Sequence, residues 1–120
     1  MKISLLGGLR VEHTQEGAVR PLPAAVDHAA FRILQEALTN AHKHGTGGIV
    51  RMRLVYTDQD LALSVENPQP PVPAAGPGHG LIGVRERVAA VGGTVTAGPA
   101  GTGTFRLHAR LPAAALRAAP

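Results

Sequence analysis

The stretch from Phe31 to Gly45 constrains this chain more than any other. Its apolar residues, taken with Val26 and Ala30 just before it, fall at positions 26, 30, 33, 34, 37, 38 and 41. That spacing covers one side of a helix and leaves the other polar, so it predicts one long amphipathic helix that needs an apolar surface to lie on. Asp27 is placed to cap the start of the run and Gly45 to stop it. At about 100° per residue, Glu36, Asn40, Lys43 and His44 share a strip along the edge of the apolar face. A carboxylate, an amide, an ammonium and an imidazole thus line the rim of whatever the helix packs against. On an arbitrary helix such a strip is a solvated face. The i, i+4 spacing of Glu36 and Asn40 also lets the two address one water or ion.

The rest of the chain supplies the surface. At 120 residues it is long enough for one domain with its own core, expected over 1–112 with a poorly specified start at 1–8 and a frayed alanine-rich tail at 113–120. Cysteine is absent, which leaves no disulfide framework and no thiolate metal site and suits a reducing compartment. No run approaches the roughly 18 apolar residues of a membrane span, and Met1 to Leu6 lacks the length and cleavage site of a secretion signal. The net charge of +4 comes from scattered arginines, with Phe31, Phe105 and Tyr56 as the only aromatic residues. Binders of single-stranded nucleic acid pair such charge with stacking platforms. The charge is therefore expected to serve a small anionic ligand, with no nucleic acid and no direct membrane contact.

Gly8 to His13 alternates like a strand, and Gln15 to Ala18 reads as a turn leading towards the helix. Ile49 to Tyr56 alternates with Arg51 and Arg53 on one face, a strand with one basic side. Thr57 to Asp60 turns the chain, and Leu61 to Asn67 returns as the second strand of a hairpin. From Pro68 the composition shifts to proline and glycine, which exclude regular structure until about Leu81. A second amphipathic helix follows, apolar at 81, 84, 88 and 91 and closed by Gly92-Gly93. Strands over Thr94–Ala97 and Thr104–Leu111 complete the pattern. The histidines offer no metal site: His42 and His44 are two apart on a helix and point away from each other.

Gly78-His79-Gly80-Leu81-Ile82-Gly83 has the form GxGxxG. A dinucleotide fingerprint needs a strand directly before it and an acid about 20 residues on. Here a proline-rich loop precedes it and position 103 is glycine. What remains is physical: glycines let backbone N–H groups approach a phosphate, and the helix beginning near Leu81 turns its positive end to an anion.

Gln35-Glu36-Ala37-Leu38-Thr39-Asn40-Ala41-His42-Lys43-His44 resembles the N-box of the ATPase superfamily that contains gyrase, the heat-shock chaperones, the sensor histidine kinases and the mismatch-repair proteins. The nitrate-sensor-type dimeric histidine kinases are the most similar branch. Gly80 to Thr94 resembles the second glycine box of the same kinases, where it hinges a mobile ATP lid; Pro68 to Pro77 would be that lid. Gly101-Thr102-Gly103-Thr104 resembles the last motif. Asn67 stands where the family's first glycine box carries an adenine-reading Asp, and prolines replace the two glycines after it.

The resemblance implies an α/β two-layer sandwich of the Bergerat type, a mixed, largely antiparallel sheet with helices on one face. It implies ATP and Mg²⁺ as cofactors. Asn40 would take Mg²⁺, as one hard oxygen ligand beside waters and phosphates. Lys43, His44, Gly78, His79, Gly80, Leu81 and Gly83 would surround the phosphates, and Asn67 and Thr104 the adenine. Glu36 and Asn40 would be the catalytic pair, Glu36 matching the base that activates water in hydrolysing members. Phosphoryl transfer would go to a histidine on a separate dimerisation and phosphoacceptor domain, with a response regulator downstream and a cytoplasmic location, alone or as part of a membrane-bound sensor. No histidine here resembles that acceptor. A hydrolysing relative, an anti-sigma-type serine kinase and a non-catalytic nucleotide-binding module are the alternatives. As an amide that can turn over and donate, Asn67 is expected to bind adenine by a neutral hydrogen bond and to discriminate less sharply against guanine.

Overall fold

The computed structural model describes residues 2–6, 9–44, 48–68, 79–101 and 103–113. In chain order the elements are β1 (Lys2–Leu6), β2 (Leu9–Glu16), α1 (Ala24–His44), β3 (Ile49–Tyr56), β4 (Asp60–Pro68), α2 (His79–Ala90), β5 (Thr94–Pro99) and β6 (Thr104–Pro112). The strands form one sheet in the order β1-β2-β3-β4-β6-β5. Only β2 and β3 pair in parallel, and α1 is the crossover between them; every other neighbouring pair is antiparallel. The expected mixed, largely antiparallel sheet is therefore present.

Alternation decides which way the sheet faces. On β4, Leu61, Leu63 and Val65 are buried, as are Leu107, Ala109 and Leu111 on β6. These side chains meet Val26, Ala29, Ala30, Ile33, Ala37 and Ala41 of α1 and Val84 and Val88 of α2 in one core. Leu34 and Leu38 pack at its edge. α1 lies against β4 and β6, and α2 against β5 and α1. With one face buried, a one-residue slip of any central strand would turn its leucines to solvent, so the register is strongly specified.

Several boundaries differ from those expected. Asp27 does not cap α1. Its N–H donates to the Pro23 carbonyl at 2.9 Å, a helical bond, and the helix already runs from Ala24. Its carboxylate complements the positive end of the helix from inside the first turn. β1 stands in the poorly specified opening segment, and pairs with β2 from Lys2↔His13 to Leu6↔Leu9. Gln15 and Glu16 belong to β2 rather than to a turn. The chain turns at Gly17, whose φ of 81° suits glycine, and a Cβ there would strike the Tyr56 carbonyl. α2 starts at His79, two residues earlier than Leu81. The stop expected at Gly45, the proposed lid before Gly78, and most of the alanine-rich tail lie outside the described residues.

Ile33, fully buried at the centre of α1, is the residue whose loss this packing makes most costly. Ile33→Ala should lower the unfolding free energy by about 2–5 kcal/mol. Phe31→Ala, two residues away and 62% exposed, should stay within about 0.5 kcal/mol. Urea titration followed by circular dichroism measures both.

Candidate functional site

Chain connectivity brings the singled-out residues to one end of the sheet. α1 ends at His44 and β3 begins at Ile49, so the last turn of α1 lies where β3 starts. Arg51 pairs with Glu66, so β4 finishes at this same end, and Pro68 pairs with Thr104, so β6 starts there. Gly48 and Pro68 are close enough that a Cβ on the glycine would lie 3.2 Å from the proline Cγ. α2 ends just before Thr94, whose partner Arg110 is at the opposite end. Its N-terminus at His79 therefore points back to the first end.

Asn40 and Glu36 are half-buried one turn apart on α1, at the rim of its apolar stripe as expected. Lys43 and His44 occupy the last turn of the same helix. His79, Gly80 and Leu81 form the first turn of α2, with Gly83 just behind them; Gly78 lies outside the described residues. The glycine motif is thus largely helix, not loop. Its anion-binding capacity rests on the N–H groups of that first turn, which have no partner within the helix.

Asn67 is the one buried polar side chain among the described residues, 5% exposed. Strand alternation directs it to the helix side, in line with Val65. Its Nδ2 donates to the Pro68 carbonyl at 3.0 Å. That bond assigns the amide: the NH₂ group meets the carbonyl, and Oδ1 remains as the acceptor. Thr104 is not on the same face. Asn67 pairs with Phe105, and alternation turns Thr104 to the side of the sheet that carries Arg106. The residue sharing Asn67's face on β6 is the half-buried Phe105. The Pro68 carbonyl was the partner that sequence reasoning missed, and the only signal for it was a proline directly after Asn67.

The arginines of the sheet are turned away from these groups. Arg51 pairs with Glu12 at 3.6 Å, Arg53 with Glu16 at 2.6 Å, Arg106 with Glu66 at 2.6 Å and Arg110 with Asp60 at 3.2 Å. All four pairs stand on the sheet face away from the helices. The basic face expected on β3 is real but is neutralised by acids on its neighbours. A concavity of about 610 Å³ opens on that same face, floored by Ala62, Ser64 and Thr96. It is not lined by Asn40 or Asn67.

The donor set at the α1–α2 end suits a nucleotide with a divalent cation. Asn40 supplies a hard oxygen, and the first turn of α2 supplies oriented N–H groups. Asn67 offers a buried acceptor oxygen. Among the described residues no cluster of three or more His, Asp or Glu side chains could hold a metal ion. A magnesium ion here would take Asn40 and complete its shell with water and ligand oxygens. No helix among these residues is long and apolar enough to cross a membrane.

Known proteins bear on the arrangement. The family model described as histidine kinase-, DNA gyrase B- and HSP90-like ATPase matches residues 25–115. The chain is 30% identical over 88 residues to the sensor histidine kinase LnrJ of Bacillus subtilis, covering 73% of this chain and 22% of that protein. It is 35% identical over 104 residues to the signal transduction histidine-protein kinase/phosphatase UhpB of Salmonella typhimurium, covering 78% of this chain and 20% of that one. It spans only about a fifth of either relative. The histidine kinase domain of the Erythrobacter litoralis blue-light-activated histidine kinase EL346 superposes with a TM-score of 0.68 at 20% identity, over 85% of this chain and 54% of that chain. These matches agree with the fold and the motif order. The chain belongs to the histidine kinase-, DNA gyrase B- and HSP90-like ATPase family.

Proposed function

We propose that this chain is the ATP-binding catalytic part of a sensor histidine kinase, which presents Mg²⁺-ATP to a histidine on a separate dimerisation domain. The observation that carries the reading is that the C-terminal part of α1 with Asn40, the end of β4 with Asn67 and the N-terminus of α2 all lie at one end of the sheet. The two curated relatives, a sensor histidine kinase and a signal transduction histidine-protein kinase/phosphatase, favour this branch over a hydrolysing or serine-directed one. Asn40 would ligate the metal ion, whose charge offsets that of the phosphates. The first turn of α2 would hold phosphate oxygens, with Lys43 and His44 close by on α1. Glu36, one turn before Asn40, would orient water or the metal's shell. With the acceptor histidine supplied by another domain, catalysis by these residues is positioning and charge neutralisation. A response regulator would receive the phosphoryl group afterwards.

Isothermal calorimetry with ATP, with and without Mg²⁺, tests the core of this reading. Asn40→Ala should lower ATP affinity in Mg²⁺ by about tenfold, or ~1.4 kcal/mol, and leave the metal-free affinity almost unchanged. If Mg²⁺ makes no difference to the unmodified chain, the assignment of Asn40 is wrong.

The bond from Asn67 to the Pro68 carbonyl argues against the expected weak discrimination between adenine and guanine. Turning the amide over would break it and set two oxygens 3.0 Å apart. Asn67 should therefore act as a fixed acceptor, matching the adenine amine and opposing the guanine carbonyl. Losing a neutral hydrogen bond costs about 1 kcal/mol, so Asn67→Leu should weaken ATP about fivefold and shrink the preference over GTP. Asn67→Asp should lower the melting temperature without tightening ATP, because the Pro68 carbonyl would then face a carboxylate. Paired dissociation constants for ATP and GTP decide this. An Asn67→Leu variant that binds ATP like the unmodified chain would make Asn67 a structural residue only.

A further inference from the structure

The sheet face away from the helices is patterned in a way that solvation alone does not require. Three rungs cross it. In the first, Glu12, Arg51, Glu66 and Arg106 lie side by side on β2, β3, β4 and β6. The second holds Thr14, Arg53, Ser64 and His108, and the third Glu16, Val55, Ala62 and Arg110. Cross-strand neutralisation within one copy explains why acids and bases alternate. It does not explain why each rung has matching halves about a line between β3 and β4. Acid on the left always has base on the right, and beside the line Arg53 and Val55 stand across from the short Ser64 and Ala62.

We infer that this face pairs with the same face of a second copy of the chain, about a two-fold axis running parallel to the strands between β3 and β4. That operation lays each column on its mirror position in the partner. Arg51 then lies over the partner's Glu66, Glu12 over the partner's Arg106 and Glu16 over the partner's Arg110. Arg53 reaches over the partner's Ser64, into the concavity of about 610 Å³, and Val55 meets the partner's Ala62. No like charges oppose each other. A two-fold axis across the strands does the reverse. It sets Arg53 on the partner's Arg53, Glu12 on the partner's Glu16 and Arg106 on the partner's Arg110. The charge pattern thus selects one geometry and rejects the other.

Size sets the strength. The axis lays β3 over the partner's β4, β2 over its β6 and β1 over its β5, so the face spans all six strands, the outer two shorter. With strands about 4.8 Å apart and residues about 3.4 Å apart, it offers roughly 600 Å² per copy. Two such faces total roughly 1,200 Å², the lower edge of specific interfaces, so the dimer is weak and concentration-dependent. Twisted sheets packed face to face rotate by about 30°, which displaces the outer columns most. The pairs beside the axis, Arg51 with Glu66 and Arg53 with Ser64, therefore set the register. Ion pairs exposed at the rim weaken as salt rises.

Sedimentation velocity of the 120-residue chain over a concentration series, at low and high salt, is the first measurement. A reversible dimer that dissociates as salt rises is expected. Arg51→Glu and Glu66→Arg should each weaken self-association by at least about tenfold, since each creates two like-charge contacts by symmetry. Mixed in equal amounts, these two variants should form a heterodimer, because Glu at 51 in one meets Arg at 66 in the other. Ser64→Arg should abolish the dimer by filling the space that Arg53 of the partner occupies. Thermal melts confirm that each variant is folded. A chain that stays monomeric at millimolar concentration in low salt overturns the inference. So does a mixture of the two reversed variants that fails to associate, or a dimer indifferent to Ser64→Arg.

Discussion

Everything in this structure depends on the burial of α1 against one face of the sheet. Ile33, Ala37 and Ala41 share a single core with Leu61, Leu63, Val65, Leu107 and Leu111. The hydrophobic effect has no direction of its own, but the helix has one apolar stripe and the sheet one apolar face. Matching them fixes the rotation of α1 about its axis. That rotation carries Glu36 and Asn40 to the rim of the core, and the length of the helix carries Lys43 and His44 to the end of the sheet. Small residues at 29, 30, 37 and 41 let the helix lie close to the strands. The polar edge of α1 is thereby held near the level of Asn67. Site geometry here is a consequence of packing, not a separate feature added to it.

How much was legible in the sequence follows from which interactions are local. The helix over 24–44 was readable because its period is written in consecutive residues, and so was the β3–β4 hairpin, whose strands are joined by a short turn. β1 was not, because five residues without a clear alternation become a strand only by pairing with β2. The early start of α2 hid behind two glycines, which lower helix propensity but do not forbid a first turn whose N–H groups have no helical partners. Placing β6 between β4 and β5 was beyond reach, since antiparallel neighbours need not be adjacent in sequence. The pairing of β2 with β3, equally distant in sequence, changes the meaning of the arginines. Read along β3, Arg51 and Arg53 look like a basic surface for an anion. Read across the sheet, each has a carboxylate from the strand beside it. For the candidate site, Glu36 and Asn40 were singled out by motif. The side of Thr104 and the partner of Asn67 required the register.

Asn67 and Pro68 show how one neighbour alters the chemistry of a position. A buried carboxylate wants donors around it, and a proline carbonyl turned back at 3.0 Å offers the opposite. An amide satisfies that carbonyl and still presents an oxygen. Asn67→Asp would leave a buried oxygen facing another oxygen, a cost comparable to a lost hydrogen bond or more.

The two faces of the sheet serve different purposes, and the energetics separate them. The helix face carries the apolar burial and so most of the stability. The ion pairs of the open face are largely exposed, with Arg51, Arg53, Arg106 and Arg110 each more than half accessible. Exposed pairs of this kind contribute about 0–1 kcal/mol apiece to folding. Their effect on orientation is larger than their effect on stability, because wrong juxtapositions of charge are penalised more than right ones are rewarded. A face with weak self-affinity gains most when two copies are already tethered. The matched relatives extend far beyond the segment shared with this chain, which covers 22% and 20% of their lengths. Where two copies are held by flexible linkers, the effective concentration reaches the millimolar range. Pairing through the open face then leaves the α1–α2 end of each copy accessible, since the nucleotide end and the charged rungs lie on opposite sides of the same strands.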